Sequence, residues 1–220
     1  MTNQPLLEKS RTALVFIEFQ REWLATDGVL FNGLVQDKEA FLSAVGNAER
    51  VLTEARQQGW TIVHAGLDLR SDAAYRLFSG GENVLGLRAA IPRAGTWTGA
   101  GAAFVPPFVP QGDEFVSQGR SGASVLRNST LDPFLRNNRI DSLVLMGFAT
   151  HVCVESTLRE AHDMGINCWV VTDGCAAFTE GQHNHVLNHV VHHFGAGIES
   201  EALVQRMHAA NSQEEATCSS

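Results

Sequence analysis

The segment Asp141–Gly165, DSLVLMGFATHVCVESTLREAHDMG, decides the fold class because its hydrophobic pattern changes within a few residues. Asp141–Phe148 is an almost continuous apolar run, which is typical of a strand buried on both faces of a sheet. Val152–Met164 then predicts a helix, and Gly165 supplies its C-terminal stop. A buried strand that passes directly into a helix is the repeating unit of an α/β protein with a parallel sheet.

The same alternation extends in both directions from this segment. It predicts further strands at Thr12–Phe19 (TALVFIEF), Thr61–Leu67, Glu114–Gly119, Asn167–Asp173 and Gly197–Ser200, and helices at Lys38–Gln58, at Leu131–Asn137 and after the N-cap candidate Thr179. Right-handed crossovers would place the helices on both faces of a mostly parallel sheet. There is no internal repeat and no linker, so we expect one domain over residues 1–209. The polar segment 210–220 predicts a disordered tail.

Composition narrows the possible partners. The 220 residues carry a formal net charge of −8, with 44% hydrophobic and 18% charged residues, which is a globular composition. An acidic chain is a poor match for nucleic acid, and no run approaches the roughly 18 apolar residues of a membrane helix. The N-terminal stretch lacks the apolar core of a signal peptide, so we expect a cytoplasmic protein with reduced cysteines.

Polar residues that could carry chemistry follow three of the predicted strands. Glu18 and Gln20 end the first strand, Arg120 ends the third, and Cys153 lies in the first helical turn after the fourth. The carboxyl ends of parallel strands share one edge of a sheet, and ligands bind there. An acid, a cation and a thiol are therefore expected to meet at this edge.

Cys153 is the candidate nucleophile. The start of a helix favours an anion, which would lower the pKa of the thiol, and unpaired N–H groups there could hold an oxyanion. The alternative is that Cys153 is a small apolar residue buried at a helix start. Glu18, which interrupts an apolar strand, has its own alternative as a structural ion pair.

Three motifs carry a resemblance to a known family. They are IEFQ (Ile17–Gln20), a basic residue shortly before GASVLRNSTLD (Gly122–Asp132), and GFATHVCVESTLREA (Gly147–Ala161). In this order they resemble the isochorismatase-like cysteine hydrolase family over most of the chain. The resemblance implies a three-layer Rossmann-like sandwich and a triad of Glu18, Arg120 and Cys153. It also implies a cis peptide at Phe148–Ala149, an oxyanion site near Ala149 and Cys153, and a homo-oligomer, either a dimer or a tetramer.

The chain differs from the family pattern at two triad positions, because the usual acid is aspartate and the usual cation is lysine. Lys9 and Lys38 are the only lysines in the sequence, so Arg120 is the candidate for the cation. Arginine stays charged and cannot shuttle a proton, but it can stabilise a thiolate and orient a carboxylate through two hydrogen bonds.

Eight residues are candidates for the substrate pocket. Its apolar part would come from large side chains in the expected loops, with nearby polar residues supplying the rest, and the full set is Gln20, Trp23, Leu67, Asp68, Trp97, Thr150, His151 and Phe178. For the apolar members, ordinary packing is the alternative, and His151 could equally be an exposed first-turn residue.

The sequence predicts no cofactor and no metal. It has neither a GxGxxG nor a Walker motif. His185, His189 and His193 share one helix face within the histidine cluster at 183–193, but a weakly polar helix surface is the favoured interpretation. Nicotinamidases of the family hold a metal through an Asp-x-His motif, which His64 and Asp68 do not reproduce.

The resemblance implies hydrolysis of a small amide-type C–N bond, and we expect it to proceed through a thioester on Cys153. One alternative is an isochorismatase-type vinyl ether hydrolysis, with Glu18 as the acid and no covalent step. Another is a catalytically silent binding protein of the same fold.

Overall fold

The sheet is six-stranded and entirely parallel in the computed structural model, which describes residues 7–81 and 85–218. The strands are β1 (Thr12–Ile17), β2 (Thr61–Ala65), β3 (Phe115–Ser117), β4 (Ser142–Phe148), β5 (Asn167–Ala176) and β6 (Ala196–Ile198). Their order across the sheet is β3-β2-β1-β4-β5-β6. The expected α/β fold with a parallel sheet is confirmed. The strand order reverses between β1 and β4, which is where sheets of this type bind ligands.

Helices connect these strands. They are α1 (Arg21–Leu24), α2 (Val29–Gly33), α3 (Lys38–Gln58), α4 (Gly86–Ala94), α5 (Leu131–Asn137), α6 (Glu155–Asp163), α7 (Glu180–His189), α8 (Val191–Phe194) and α9 (Ser200–Cys218). The crossovers through α3 and α6 run in opposite directions from the centre of the sheet, so right-handed connections put these helices on opposite faces. None of the described helices combines the length and apolar character needed to cross a membrane.

The two central strands form the middle of the core. Every residue of β1 is buried, and β4 is buried from Leu143 onward. Phe41 on α3 stacks on Phe148 at the end of β4, with ring centroids 4.4 Å apart. Gly147 lies so close to β1 that a Cβ atom built on it would be 2.0 Å from the carbonyl oxygen of Ile17. A glycine is therefore required near the carboxyl ends of β1 and β4, where the two strands lie closest.

The longest helix matches its sequence pattern at both ends. Asp37 is the N-cap of α3, and its carboxylate accepts a hydrogen bond from the Ala40 N–H at 3.0 Å. Gly59 ends the helix with φ of +65°, the left-handed conformation that glycine adopts without steric cost.

The predicted strands Thr12–Phe19, Thr61–Leu67 and Glu114–Gly119 each end two residues earlier in the structure, whereas two other elements extend beyond their predicted C-terminal ends. β5 continues past Asp173 to Ala176 because the small residues Gly174–Ala176 allow Cys175 and Ala176 to pair with the end of β4. The last helix, α9, continues to Cys218, where a disordered tail from residue 210 was expected. The alanine, glutamine and glutamate residues of this segment have high helix propensity. The prediction of disorder relied on the polarity of the segment and did not take this propensity into account.

Candidate active site

The acid, the cation and the thiol meet at the edge between β1 and β4. Glu18 directly follows β1, Arg120 lies in the loop after β3, and Cys153 lies in the turn after β4. Arg120 Nη1 donates to Glu18 Oε1 at 2.6 Å, and Arg120 Nη2 lies 3.0 Å from Cys153 Sγ. The Cys153 thiol donates to the same Glu18 oxygen at 3.1 Å. Each of the three residues is therefore within hydrogen-bonding distance of the other two.

Glu18 is held in place by its backbone and by both carboxylate oxygens. Its φ is +58°, a left-handed conformation that ends β1, while its N–H still donates to the Ala65 carbonyl at 3.0 Å. Its second oxygen, Oε2, accepts a hydrogen bond from the indole Nε1 of Trp23 at 2.5 Å. A buried carboxylate needs such partners because an unpaired buried charge is strongly unfavourable.

Arg120 is anchored by the loop that follows it. Its Nε donates to the Gly122 carbonyl at 2.8 Å and its Nη2 to the Ala123 carbonyl at 2.7 Å. All three guanidinium nitrogens are thus engaged. The planar fork of an arginine can face a carboxylate, a thiol and two carbonyls together, whereas the ammonium of a lysine is a single point of contact.

Cys153 lies in a π-helical turn, Thr150–Val154, that leads into α6. The peptide between Phe148 and Ala149 is cis, as the family resemblance implied. The Ala149 carbonyl accepts from the N–H groups of Val152 and Cys153, both at 3.0 Å, and of Val154 at 3.3 Å. The Cys153 N–H, which was expected to be unpaired at the helix start, therefore has an acceptor. However, three N–H donors share this one oxygen, which has two lone pairs.

The resting thiol is protonated, contrary to the expectation of a lowered pKa. Burial and the negative charge of Glu18 raise the pKa of Cys153 to about 12, and the nearby Arg120 only partly offsets them. The start of the helix and one guanidinium do not outweigh a buried carboxylate in direct contact with the sulfur. The thiol therefore donates its proton toward Glu18 in the resting site.

A cavity of about 490 Å³ opens onto the triad. Glu18, Arg120, Cys153 and Ala149 contribute to its wall, so the sulfur is not sealed in hydrocarbon. Of the eight residues predicted for the substrate pocket, the four large apolar ones line it, namely Trp23, Leu67, Trp97 and Phe178. Phe178 stacks against Trp23 with ring centroids 5.6 Å apart, which gives the cavity an aromatic side.

Gln20 and Asp68 do not line this cavity. The buried amide of Gln20 donates to the carbonyls of Leu67 and Ala102 and accepts from the Leu67 N–H. It therefore links the loop that contains Leu67 to the loop that contains Ala102. Asp68 pairs with Arg70 at 2.5 Å, and both line a neighbouring cavity of about 780 Å³. Both positions were predicted from their place after a strand, which does not specify the direction of the side chain.

Thr150 and His151 also lie behind the cavity wall. The Thr150 hydroxyl and His183 Nδ1 are 2.9 Å apart, which links the π-helical turn Thr150–Val154 (the cysteine turn) to α7. His151 packs edge-on against Phe178, with ring centroids 4.6 Å apart. Burial lowers the pKa of both histidines. These residues support the turn and the aromatic wall.

Sequence reasoning missed α2 and α4, which supply much of the cavity wall. Residues of these helices and the C-cap of α2, Leu34, line the cavity; the helical residues are Val29, Leu30, Gly33, Leu87, Ala90, Ile91, Arg93 and Ala94. In α4 the apolar positions 87, 90, 91 and 94 have the i, i+3, i+4, i+7 spacing of an amphipathic helix. This signal lies within the glycine- and proline-rich segment Asp68–Asp113, for which no individual helix was predicted.

The histidine cluster forms no metal site among the described residues. No group of three or more histidine, cysteine, aspartate or glutamate side chains in residues 7–81 and 85–218 is arranged to hold an ion. His185 and His189 lie side by side on α7, with ring centroids 5.3 Å apart.

Comparisons with known proteins agree with this geometry. A family model for the isochorismatase domain matches residues 12–202. YwoC of Bacillus subtilis (strain 168), an uncharacterized isochorismatase family protein, is 28% identical over 214 residues, covering 94% of this chain and 100% of that protein. The ureidoacrylate amidohydrolase RutB of Variovorax paradoxus (strain S110) is 34% identical over 172 residues, covering 72% of this chain and 66% of that protein.

A solved structure shows the same fold. The crystal structure of a cysteine hydrolase from Pseudomonas syringae pv. phaseolicola 1448A superposes with a TM-score of 0.79 at 19% identity, covering 95% of this chain and 100% of that one. The family model spans all six strands of the sheet and all three residues of the triad. The resemblance noted in the sequence is confirmed. The chain belongs to the isochorismatase family.

Proposed function

We propose that this protein is a cysteine-dependent hydrolase that cleaves a small amide-type C–N bond through a thioester intermediate. The observation that carries the proposal is the shared carboxylate oxygen, Glu18 Oε1, which accepts from both Arg120 and the Cys153 thiol at the wall of the cavity. RutB, which is named as an amidohydrolase, supports the choice of a C–N bond.

In the first half of the reaction, Glu18 takes the thiol proton as the sulfur attacks the substrate carbonyl. Because the thiol is protonated at rest, attack and proton transfer are coupled, with Glu18 as the general base. The S–C bond forms and the amide C–N bond breaks. Glu18 then returns the proton to the leaving nitrogen, which departs as an amine or ammonia and leaves a thioester on Cys153.

In the second half, a water molecule attacks the thioester. Glu18 accepts one proton from this water, the new C–O bond forms, and the C–S bond breaks. The proton on Glu18 passes back to the sulfur, so the carboxylic acid leaves and the resting thiol is restored. Water is the only co-reactant, and the net reaction converts an amide into an acid and an amine.

The backbone at the cysteine turn is proposed to hold the oxyanion of each tetrahedral intermediate. The N–H of Ala149 and that of Cys153 are the assigned donors. The latter shares its present acceptor with two other N–H groups, so it can turn toward a stronger, charged acceptor. Arg120 keeps Glu18 oriented and offsets negative charge on the sulfur as the proton leaves.

Replacement of Cys153 tests this mechanism. We expect small amides or carbamates to leave an acyl adduct on the Cys153 peptide of the wild type in intact-mass and peptide-mass analysis. Cys153→Ala should show neither adduct nor turnover. Cys168→Ala, which removes another buried thiol that does not line the cavity, is the matched control and should retain both.

The possible outcomes separate the alternatives. Undiminished turnover in Cys153→Ala would exclude the thioester. Hydrolysis of a vinyl ether by both proteins, with no adduct on Cys153, would favour the isochorismatase-type alternative. A wild type that binds small molecules but neither turns them over nor forms an adduct would identify a silent binding protein.

We further propose a cytoplasmic homo-oligomer, a dimer or tetramer, that acts on a small molecule and binds neither nucleic acid nor membrane. The oligomer follows from the family resemblance, and the unpaired thiols of Cys153, Cys168 and Cys175 fit the reducing conditions of a cytoplasm. Light scattering on the purified protein tests the oligomeric state, and a monomeric mass at micromolar concentration would contradict it.

A further inference from the structure

The charged side chains that line the cavity differ in whether they already have a bonding partner. Three charged side chains line it, namely Glu18, Arg93 and Arg120. Glu18 and Arg120 are buried and bonded to each other. Arg93 is exposed, and its guanidinium has no ion pair or hydrogen bond with any residue in the described part of the chain. A cation at the rim of the cavity is therefore available to a ligand.

The space between Arg93 and the triad is apolar. One wall is the face of α4 that carries Leu87, Ala90, Ile91 and Ala94, and aromatic rings of Trp23, Trp97 and Phe178 form another part of the lining. A substrate section that fills this space gains from the burial of hydrocarbon and would lose from the burial of a polar group without a partner. The body of the substrate should therefore be apolar.

We propose that Arg93 determines specificity by binding a carboxylate at the far end of the substrate. This inference rests on the proposed function, since it names the substrate class of the same site. The substrate is an amide whose carbonyl lies at Cys153, whose apolar body fills the cavity, and whose carboxylate emerges beside Arg93. One unpaired guanidinium matches the single charge of a carboxylate and its two oxygens.

A matched pair of amides tests this assignment. Hexanamide and the monoamide of adipic acid share the same chain length, and only the second has a distal carboxylate. We expect the wild type to prefer the charged amide in kcat/KM. Arg93→Gln should lower that preference by about tenfold, the effect of one charge-assisted contact at a partly solvated site. Arg88→Gln, on the same helix but outside the cavity lining, is the control and should keep the wild-type ratio.

Ionic strength and binding give two further readouts. The preference for the charged amide should fall as sodium chloride is raised, because the contact is exposed to solvent. In the Cys153→Ala background, calorimetry should show tighter binding of the charged amide, and Arg93→Gln should remove the difference. These binding data do not depend on turnover, so they separate this inference from the proposed reaction.

An equal kcat/KM for the two amides, or an unchanged ratio in Arg93→Gln, would overturn the role of Arg93 while leaving the thioester mechanism intact. Conversely, Arg93-dependent binding in a protein that turns over no amide would support the inference and overturn the proposed function.

Discussion

At the scale of the residue, the site is organised around a single carboxylate oxygen. Glu18 Oε1 accepts hydrogen bonds from both Arg120 and Cys153, and Oε2 accepts one from Trp23. Burial and the negative charge of Glu18, the proposed base, together keep the proton on the sulfur, because both disfavour a thiolate. In the proposed mechanism, the thiolate therefore forms during the attack on the substrate and is not present at rest.

This coupling predicts an opposite effect of Glu18→Gln on ionisation and on turnover. Removing the carboxylate charge should lower the pKa of Cys153, since that charge is one of the causes that raise it. Turnover should fall by at least about 10²-fold, because the general base is lost. The pH dependence of alkylation by iodoacetamide measures the first effect, and steady-state kinetics measures the second. A thiol pKa that is unchanged or higher in Glu18→Gln would contradict the assigned role of Glu18.

At the scale of the element, the close pairing of β1 and β4 brings the triad together. Ile17 pairs with Gly147, so Glu18 and the cysteine turn leave the sheet side by side. Gly147 has φ of +123°, and its Cα faces the Ile17 carbonyl without room for a side chain. The geometry of the site thus depends on a glycine that does not line the cavity.

Gly147→Ala tests this dependence. The added methyl group would collide with backbone atoms of β1, which cannot move away as a flexible side chain could. We expect the free energy of unfolding to fall by about 3 kcal/mol or more. Gly46→Ala in α3 is the control, because nothing lies within 4 Å of its added Cβ, and it should raise stability by about 0.5 to 1 kcal/mol. Urea denaturation measures both, and a Gly147→Ala variant of wild-type stability would contradict the close approach.

At the scale of the whole molecule, a charged cluster ties α3 and β2 to the segment before β3. Glu114 accepts from Arg56 Nε at 2.6 Å, and its other oxygen lies 2.8 Å from His64 Nε2. Arg56 also donates to the carbonyl of Pro107 at 3.0 Å. Burial alone would raise the pKa of Glu114, but hydrogen bonds from Arg56, the Gln111 N–H and His64 outweigh it and lower the pKa to about 2.

The low pKa of Glu114 predicts a pH-dependent contribution to stability. A carboxyl group whose pKa is lower in the folded state stabilises the fold above its ordinary pKa of 4.5, and this stabilisation is lost as the pH falls toward about 2. Glu114→Gln should therefore cost on the order of 2 kcal/mol at pH 7, and the difference from wild type should shrink between pH 4.5 and 2. Asp113→Asn, an exposed neighbour, is the control for the change of net charge. Urea denaturation across this range measures the effect, and a constant difference from wild type would contradict it.

Much of the fold was predictable from local sequence. The buried strands, the bounds of α3 and α5, and the N-cap Thr179 were evident because hydrophobic periodicity and capping act over a few neighbouring residues. Parallel strands place their carboxyl ends at one edge, so Glu18, Arg120 and Cys153 could be brought together before any coordinate was known. The aromatic part of the cavity followed from the same argument.

Only the tertiary structure decided the ionisation of Cys153, the direction of individual side chains and the walls of the cavity. The thiol pKa depends on a carboxylate 135 positions away in sequence, and no local pattern reports that distance. Gln20 and Asp68 follow strands as predicted, yet each turns to a partner other than the cavity. The sequence by itself determined which residues reach the edge of the sheet, because strand pairing follows from the burial of apolar runs. Burial, neighbouring charge and helix packing then decided the protonation of Cys153, the direction of each side chain and the shape of the cavity, because these interactions exist only when segments distant in sequence are in contact.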